Sequence, residues 1–321
     1  MNSIPCKVCD NLENNKMFEV KEMYLGLREK FVYQHCGNCG LMQLLNIPEN
    51  LSKYYPPDKY YSFKSEVNKK VKPELFRKIK AEYLLHNKNR IAGKLLSLGY
   101  KVPEYFEWLK KTKVHLTDAI LDVGCGNGGL LISLNKMGFT NLTGIDPFNE
   151  NDLDYGDIKI YKKTIFETEG EYDLIMLNHV LEHMDEAQNV INRLYDLLKN
   201  GKYLLIRTPV MESYAWHKFH NNWMNLDAPR HLIIHTIKSI KILCERSGFI
   251  LKDIVFDATA DSLIGSEQYQ KNIALIDEDS YLKNRKSKLF SEKELEDFKI
   301  IANEKNKTGE GDQAAFYLYK P

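Results

Sequence analysis

The sequence predicts an α/β fold, a doubly wound and mostly parallel sheet that ends antiparallel. Three observations carry that expectation. The run Ile120 to Gly129, ILDVGCGNGG, reads as a short buried strand that turns sharply into a helix. Further apolar runs, at Leu142 to Ile145, Tyr172 to Leu177 and Tyr203 to Pro209, alternate with segments of helical period. Two strand-like runs then close the chain, FILKDIVF at Phe249 to Phe256 and AAFYLY at Ala314 to Tyr319, and they follow the βα units as an antiparallel end.

The glycines after the first strand let a ligand lie directly on the backbone. A Cβ there would block both positive φ angles and close approach. The spacing alone leaves two cofactors open. Gly124, Gly126 and Gly129 fit the dinucleotide pattern GxGxxG, while Asp122 with Gly124, Gly126 and Gly128 fits the D-x-G-x-G-x-G turn of S-adenosylmethionine enzymes. The surroundings favour the second. Asp146, twenty residues past Gly126, is placed to accept ribose hydroxyls in either case. A pyrophosphate requires a helix N-terminus free of negative charge, whereas Asp122 suits a cationic ligand without phosphate.

Five pieces in order, LDVGCGNGG, GIDPF at Gly144 to Phe148, YDLIMLNHVLEH at Tyr172 to His183, YLLIRTP at Tyr203 to Pro209 and APRHL at Ala228 to Leu232, resemble the class I S-adenosylmethionine-dependent methyltransferases over roughly residues 118–321. The resemblance implies a Rossmann-like sheet with S-adenosylmethionine as cofactor. It sets Gly124, Gly126 and Gly128 under the methionine part, Asp146 at the ribose, Asn178 near the sulfonium, and Thr164 to Phe166 near the adenine.

Composition fits a cytoplasmic enzyme. The 45 basic and 44 acidic residues leave a formal charge of +1, which gives no global electrostatic case for a nucleic-acid or membrane partner. No apolar run reaches the length of a membrane span, and MNSIPCKVCD does not read as a signal peptide.

The cysteines divide into two sets. Cys6 and Cys9 form one C-x-x-C knuckle and Cys36 and Cys39 another, with 26 residues between them. Four thiolates so spaced suit a structural, tetrahedral Zn²⁺ in a zinc-ribbon-like module, which could not hold itself together by apolar burial alone. Cys125 and Cys244 read as ordinary loop and helix residues.

The expected organisation is a zinc-binding four-cysteine module at 1–50, a Tyr-rich loop and helical lid at 51–117, and the cofactor-binding domain at 118–321 with an insert at 257–311. In LSKYYPPDKYYSF, Tyr60 or Tyr61 is a candidate lid residue over the cofactor. Pro73 to Leu98 reads as one helix with Leu75, Ile79, Tyr83 and Ile91 on one side, stopped by Gly99. Its Arg77, Lys78, Lys80, Lys88, Arg90 and Lys94 form either a solvated face or a phosphate-binding surface. The insert is expected to cover the active-site mouth.

Two segments carry candidate chemistry. In His179-Val180-Leu181-Glu182-His183, the H-x-x-E-H spacing would let two imidazoles meet one metal if it lay on a helix. It also resembles the E-x-x-E-H segment with which ubiquinone-pathway and small-RNA O-methyltransferases, using a later histidine, hold a divalent metal, but His179 stands where they have glutamate. The other reading makes Glu182 and His183 orienting groups. In APRHL, His231 is the expected general base, since methyl transfer to a hydroxyl or carbon acid needs a proton removed near neutral pH. Arg230 is a candidate carboxylate or phosphate clamp, Tyr214, Trp216 and Trp223 are candidate stacking groups, and His217, His220 and His235 are expected at the surface.

Zinc knuckles ahead of such a core also resemble deoxysugar C-methyltransferases of bacterial natural-product pathways. The expected activity is therefore methyl transfer to a small polar acceptor such as a nucleotide-linked sugar. The competing class is a non-catalytic module that docks RNA or protein.

Overall fold

The computed structural model describes residues 3–56 and 75–321. Tyr60, Tyr61 and Pro73, and with them the lid expectation, lie outside the described residues.

Three short strands come first, β1 (Lys16–Lys21), β2 (Lys30–His35) and β3 (Met42–Leu44), paired antiparallel in that order. The region expected to be one long helix is two, α1 (Leu75–His86) and α2 (Arg90–Leu96). Asn87 and Asn89 adopt positive φ between them, at 56° and 51°, and break the helix although the apolar period runs on through them. Then come α3 (Tyr105–Thr112), β4 (Ile120–Val123), α4 (Gly129–Lys136), β5 (Leu142–Ile145), β6 (Leu153–Asp154), β7 (Ile158–Tyr161), β8 (Tyr172–Asn178), α5 (Ala187–Leu197) and β9 (Leu198–Pro209). The remainder is α6 (Tyr214–Phe219), β10 (Ile233–Ile234), α7 (Ile237–Ser247), β11 (Ile250–Phe256), α8 (Ala260–Gln270), α9 (Glu292–Thr308) and β12 (Gln313–Tyr319).

The main sheet runs β11-β12-β9-β8-β4-β5-β7-β6. Strands β4, β5, β7, β8 and β9 pair parallel, and β12 inserts antiparallel between β9 and β11, as the sequence predicts. β4 is buried along its whole length, and most of β8 is buried too, as central parallel strands covered on both faces must be. The order reverses beside β4, so the carboxyl ends of β4, β5 and β8 open onto one crevice, the position that binds ligands in doubly wound sheets.

The N-terminal strands do not form a separate unit. β3 pairs antiparallel with β10, so a strand just after APRHL completes a second sheet in the order β1-β2-β3-β10. The Tyr33 hydroxyl donates to the His231 carbonyl, and Cys6, Cys36, Tyr33 and Leu41 share one core with Trp223, Leu226 and Ile233. The insert packs behind this contact and not over the mouth: α8 packs against the turn at Met224–Leu226, and Leu275 and Ile276 donate to the carbonyls of Met23 and Tyr24. No described residue of 257–311 lines the crevice, because the apolar sides of α8 and α9 are spent on the core. No described helix is long and apolar enough to cross a membrane.

Candidate functional site

The glycine turn is built by the strand end it follows. Gly124 takes φ +69°, and a Cβ there would stand 2.5 Å from Cγ2 of Val180, so side chain and conformation both exclude other residues. Gly126 donates its N–H to Asp146 at 2.9 Å, and Gly128 caps α4 in a left-handed conformation. Asp146 also accepts from the Phe148 N–H, so two backbone amides fix its carboxylate at the end of β5. Asp122 lies beneath the turn, fully buried. Burial, with the nearby Asp146 carboxylate adding to it, pushes its carboxyl up to about 7. Two acidic side chains crowded at this turn suit a cation better than a pyrophosphate.

Above the turn is a cavity of about 410 Å³ lined by Gly124, Asp146, Phe148, Ile165, His179 and His183 among others. That volume falls within the range of roughly 300–1,000 Å³ typical of small-molecule sites. Thr164 to Phe166, the region expected near adenine, line one wall, and the wall is mainly apolar. Asn178 stands at the carboxyl end of β8 with its Oδ1 accepting from Arg207 at 2.6 Å, and it does not line the cavity.

The H-x-x-E-H segment is not helical. His179 has φ +57°, and Leu181–His183 form one 3-10 turn before α5, so the shared helical face needed for a protease-like pair does not exist. The turn instead separates roles. His183 faces the cavity while Glu182 points inward with no exposed surface. Glu182 accepts from the Thr208 hydroxyl at 2.9 Å and lies 3.3 Å from His179 Nδ1. Burial alone would raise its carboxyl, but the hydrogen bond from His179 and the fields of His179, His231 and His183 bring it down to about 2.

His231 sits behind His183, not on the cavity wall. Their ring centroids are 4.8 Å apart at 68°. His231 Nδ1 meets the Asn225 carbonyl at 2.7 Å, and His183 Nδ1 meets the Arg230 carbonyl at 2.9 Å. A carbonyl only accepts, so in both rings Nδ1 carries a hydrogen, and in the neutral tautomer this selects, the lone pair is on Nε2. Burial, with His183 assisting, pushes His231 down to about 4.

Several expected roles around APRHL change. Arg230 is not a ligand clamp: it is wholly buried, paired with Asp227 and Glu22, stacked over Tyr24 and bonded to the Tyr54 carbonyl. Trp223 is buried and donates to Asp312, and Trp216 is nearly buried beside it, so neither ring offers a free face for stacking. His235 is fully buried, with Nδ1 3.2 Å from the Ser239 hydroxyl. Tyr55 was missed. Its ring stacks on Phe148 with centroids 6.2 Å apart, and its hydroxyl lies 3.2 Å from His183 Nδ1, so it joins the two walls of the cavity. The Tyr-Tyr-Pro-Pro run marked this loop, but nothing local to it marked which tyrosine reaches the cavity.

Cys6, Cys9, Cys36 and Cys39 converge. The Sγ atoms of Cys6 and Cys39, and those of Cys9 and Cys36, are each 3.5 Å apart, and all four lie within 4.8 Å of one another. This is too long for disulfides and close to the edge of roughly 3.8 Å expected for a tetrahedron of 2.3 Å metal–sulfur bonds. The N–H groups of Asn38 and Cys39 point at Cys36 Sγ at 3.4 Å. The Gly37 N–H goes instead to Asn15.

Residues 75–252 match the methyltransferase-domain family. This chain is a class I S-adenosylmethionine-dependent methyltransferase. Among its relatives, a ubiquinone biosynthesis O-methyltransferase of Rickettsia typhi is 32% identical over 158 residues, covering 45% of this chain and 62% of that protein. A demethylmenaquinone methyltransferase of Lactobacillus johnsonii is 28% identical over 164 residues, covering 46% and 64%. The chain thus spans less than two thirds of the length of these relatives. Among solved structures, it is similar to a cyclopropane synthase of Mycobacterium tuberculosis (TM-score 0.42, 17% identity, 77% of this chain and 99% of that one). It is also similar to a methyltransferase of Archaeoglobus fulgidus (TM-score 0.39, 20% identity, 68% and 100%).

Proposed function

We propose that this methyltransferase acts on the hydroxyl oxygen or acidic carbon of a small polar acceptor, with a nucleotide-linked sugar or glycan precursor as the first class to try. The observation that carries the reading is His183, which lines the cavity together with Gly124 and Asp146 while its Nδ1 is engaged by the Arg230 carbonyl. When bound, S-adenosylmethionine supplies a methyl group made electrophilic by its sulfonium charge. Asp146, held by two amides, accepts from the ribose. Gly124, Gly126 and Gly128 leave room for the methionine part over the turn, and Asp122 and Asn178 stand at the strand ends beside it. His183 Nε2 takes the acceptor proton, beside the buried Glu182 carboxylate. His231 holds the opposite side of that ring and acts through it. Holding the acceptor on the axis of the breaking bond supplies much of the rate.

The same reading gives Cys6, Cys9, Cys36 and Cys39 one structural zinc. A second reading rests on a separate observation: ligand atoms of Glu182, His183 and His231 lie within 4.8 Å of one another. A carboxylate and two imidazole lone pairs with no donor among them suit a divalent cation, which would bind acceptor oxygens in place of a proton-accepting ring. The relatives named for ubiquinone biosynthesis make acceptors of a quinone type worth testing under that reading.

The experiment is turnover of wild type, His183→Ala and His231→Ala with acceptors screened by a mass gain of about 14 Da. His183→Ala is expected to lose roughly two to four powers of ten in kcat, and His231→Ala less. Activity abolished by chelator and restored by Mg²⁺ while the four-cysteine zinc stays bound would favour the cation. Full activity in both variants would remove the histidines from the chemistry.

A further inference from the structure

α2 carries its apolar stripe on the wrong side. The side packed against α1 is Gly93, whose missing Cβ would stand 2.3 Å from Cβ of Tyr83, and among α2 residues only Gly93 is buried. The opposite side holds Ile91 and Leu95, one helical turn apart, followed by Leu98 just past the helix end; they are 83%, 63% and 71% exposed. Leu75 and Phe76 at the start of α1 are 73% and 50% exposed. A surface helix of a globular protein ordinarily does the reverse, and a cluster of large apolar groups left in water marks an interaction surface.

Charge indicates the occupant. Between Leu75 and Lys101 there are seven cations, Arg77, Lys78, Lys80, Lys88, Arg90, Lys94 and Lys101, against one acid, Glu82. The whole chain is nearly neutral, so this density is local. Arg90 and Lys94, one turn apart like Ile91 and Leu95, run along one edge of that stripe on α2 itself. An apolar stripe bordered by cations matches an anionic bilayer surface, into which the side chains enter while the cations meet headgroup phosphates. A second copy of the chain fits poorly, since a twofold contact through this face would set Arg90 and Lys94 against their own copies. A polynucleotide would use the cations but would leave Ile91, Leu95 and Leu98 unburied.

We propose that the α1–α2 hairpin docks the protein on phospholipid surfaces of net negative charge. The proposal is independent of the acceptor reading, because no residue of α1 or α2 lines the cofactor cavity.

Flotation of the full chain with phosphatidylcholine vesicles, with and without about 30% phosphatidylglycerol, tests it. Binding is expected only with the anionic lipid and should weaken as salt rises. The double variant Ile91→Ser/Leu95→Ser is expected to lower the partition coefficient at least about tenfold, since each side chain forfeits its burial in the acyl boundary. Arg90→Glu/Lys94→Glu should lower it similarly. Both pairs are surface changes, and unaltered S-adenosylmethionine affinity will confirm that the variants fold. No binding to anionic vesicles overturns the proposal, as does binding that the serine variant leaves unchanged. A dimer in ultracentrifugation that the serine variant dissolves, without vesicle binding, would assign the face to a second copy. Salt-sensitive binding to RNA that is indifferent to Ile91→Ser/Leu95→Ser, again without vesicle binding, would assign the cations to nucleic acid.

Discussion

The two walls of the cavity are built differently. The cofactor wall is local: Gly124, Gly126 and Gly128 follow one strand, Asp146 ends the next, and their mutual hydrogen bonds span about twenty residues. The wall bearing His183 is assembled from distant parts. Its carbonyl partner belongs to Arg230, which is held by Glu22, Asp227 and the Tyr54 carbonyl, while the His231 carbonyl is held by Tyr33. The N-terminal four-cysteine region is therefore part of the frame of the wall that bears His183, the proposed acceptor side. Changes in that region should damage acceptor chemistry and stability while sparing cofactor affinity.

The largest expected effect comes from Cys36→Ser. Purified wild type should hold about one zinc per chain, and the variant should hold none, with a loss of several kcal/mol in stability. Elemental analysis and thermal melts read both. A metal that survives the change would place it instead at Glu182, His183 and His231. Next is Arg230→Met, which strands Glu22 and Asp227 as buried carboxylates without their cation and should cost about 3–5 kcal/mol. The contrast would break if either change weakened S-adenosylmethionine binding as much as it weakens folding.

The same division explains what the sequence made legible. The alternating strands and helices, the strand-like run of β12 and the turn at Gly124 follow from patterns within a few residues of each other, and the C-x-x-C pairs name their own partners. His183 and His231 were both visible as titratable groups, but which one meets the cavity depends on the 3-10 turn at Leu181–His183, which follows His179 at positive φ where a helix was expected. Arg230 read as a free clamp because Glu22 lies 208 residues away. Trp223 read as a stacking face because Asp312, to which it donates, lies 89 residues away, and His235 read as a surface group although the fold buries it beside Ser239 at the start of α7. The break between α1 and α2 escaped because two asparagines at positive φ interrupt the helix inside an apolar repeat.

A smaller effect separates the walls by pH. Burial pushes His231 and His235 each down to about 4, so the unfolded chain takes up protons between about pH 6.5 and 4 that the folded chain refuses. Their contribution to stability is complete above pH 6.5 and is lost as pH falls, at no more than about 1.4 kcal/mol per pH unit for each ring. Asp122 has the opposite sign. With its folded value raised to about 7, its contribution is complete below the usual carboxylate range and is lost as pH rises through 7. Melting curves from about pH 7.5 to 4.5 should therefore show a shallower acid loss in His235→Asn and a steeper one in Asp122→Asn. Identical slopes in all three proteins would remove these groups as the cause.

The division between the walls is tested most directly by calorimetric titration of S-adenosylmethionine into wild type, Asp146→Ala and His183→Ala. No acceptor is needed. Asp146→Ala should weaken binding by about 1–3 kcal/mol, the usual worth of charge-assisted hydrogen bonds, and His183→Ala should leave it within about 0.5 kcal/mol of wild type. Equal losses in the two variants, or a loss confined to His183→Ala, would contradict the assignment of the cofactor to the glycine wall.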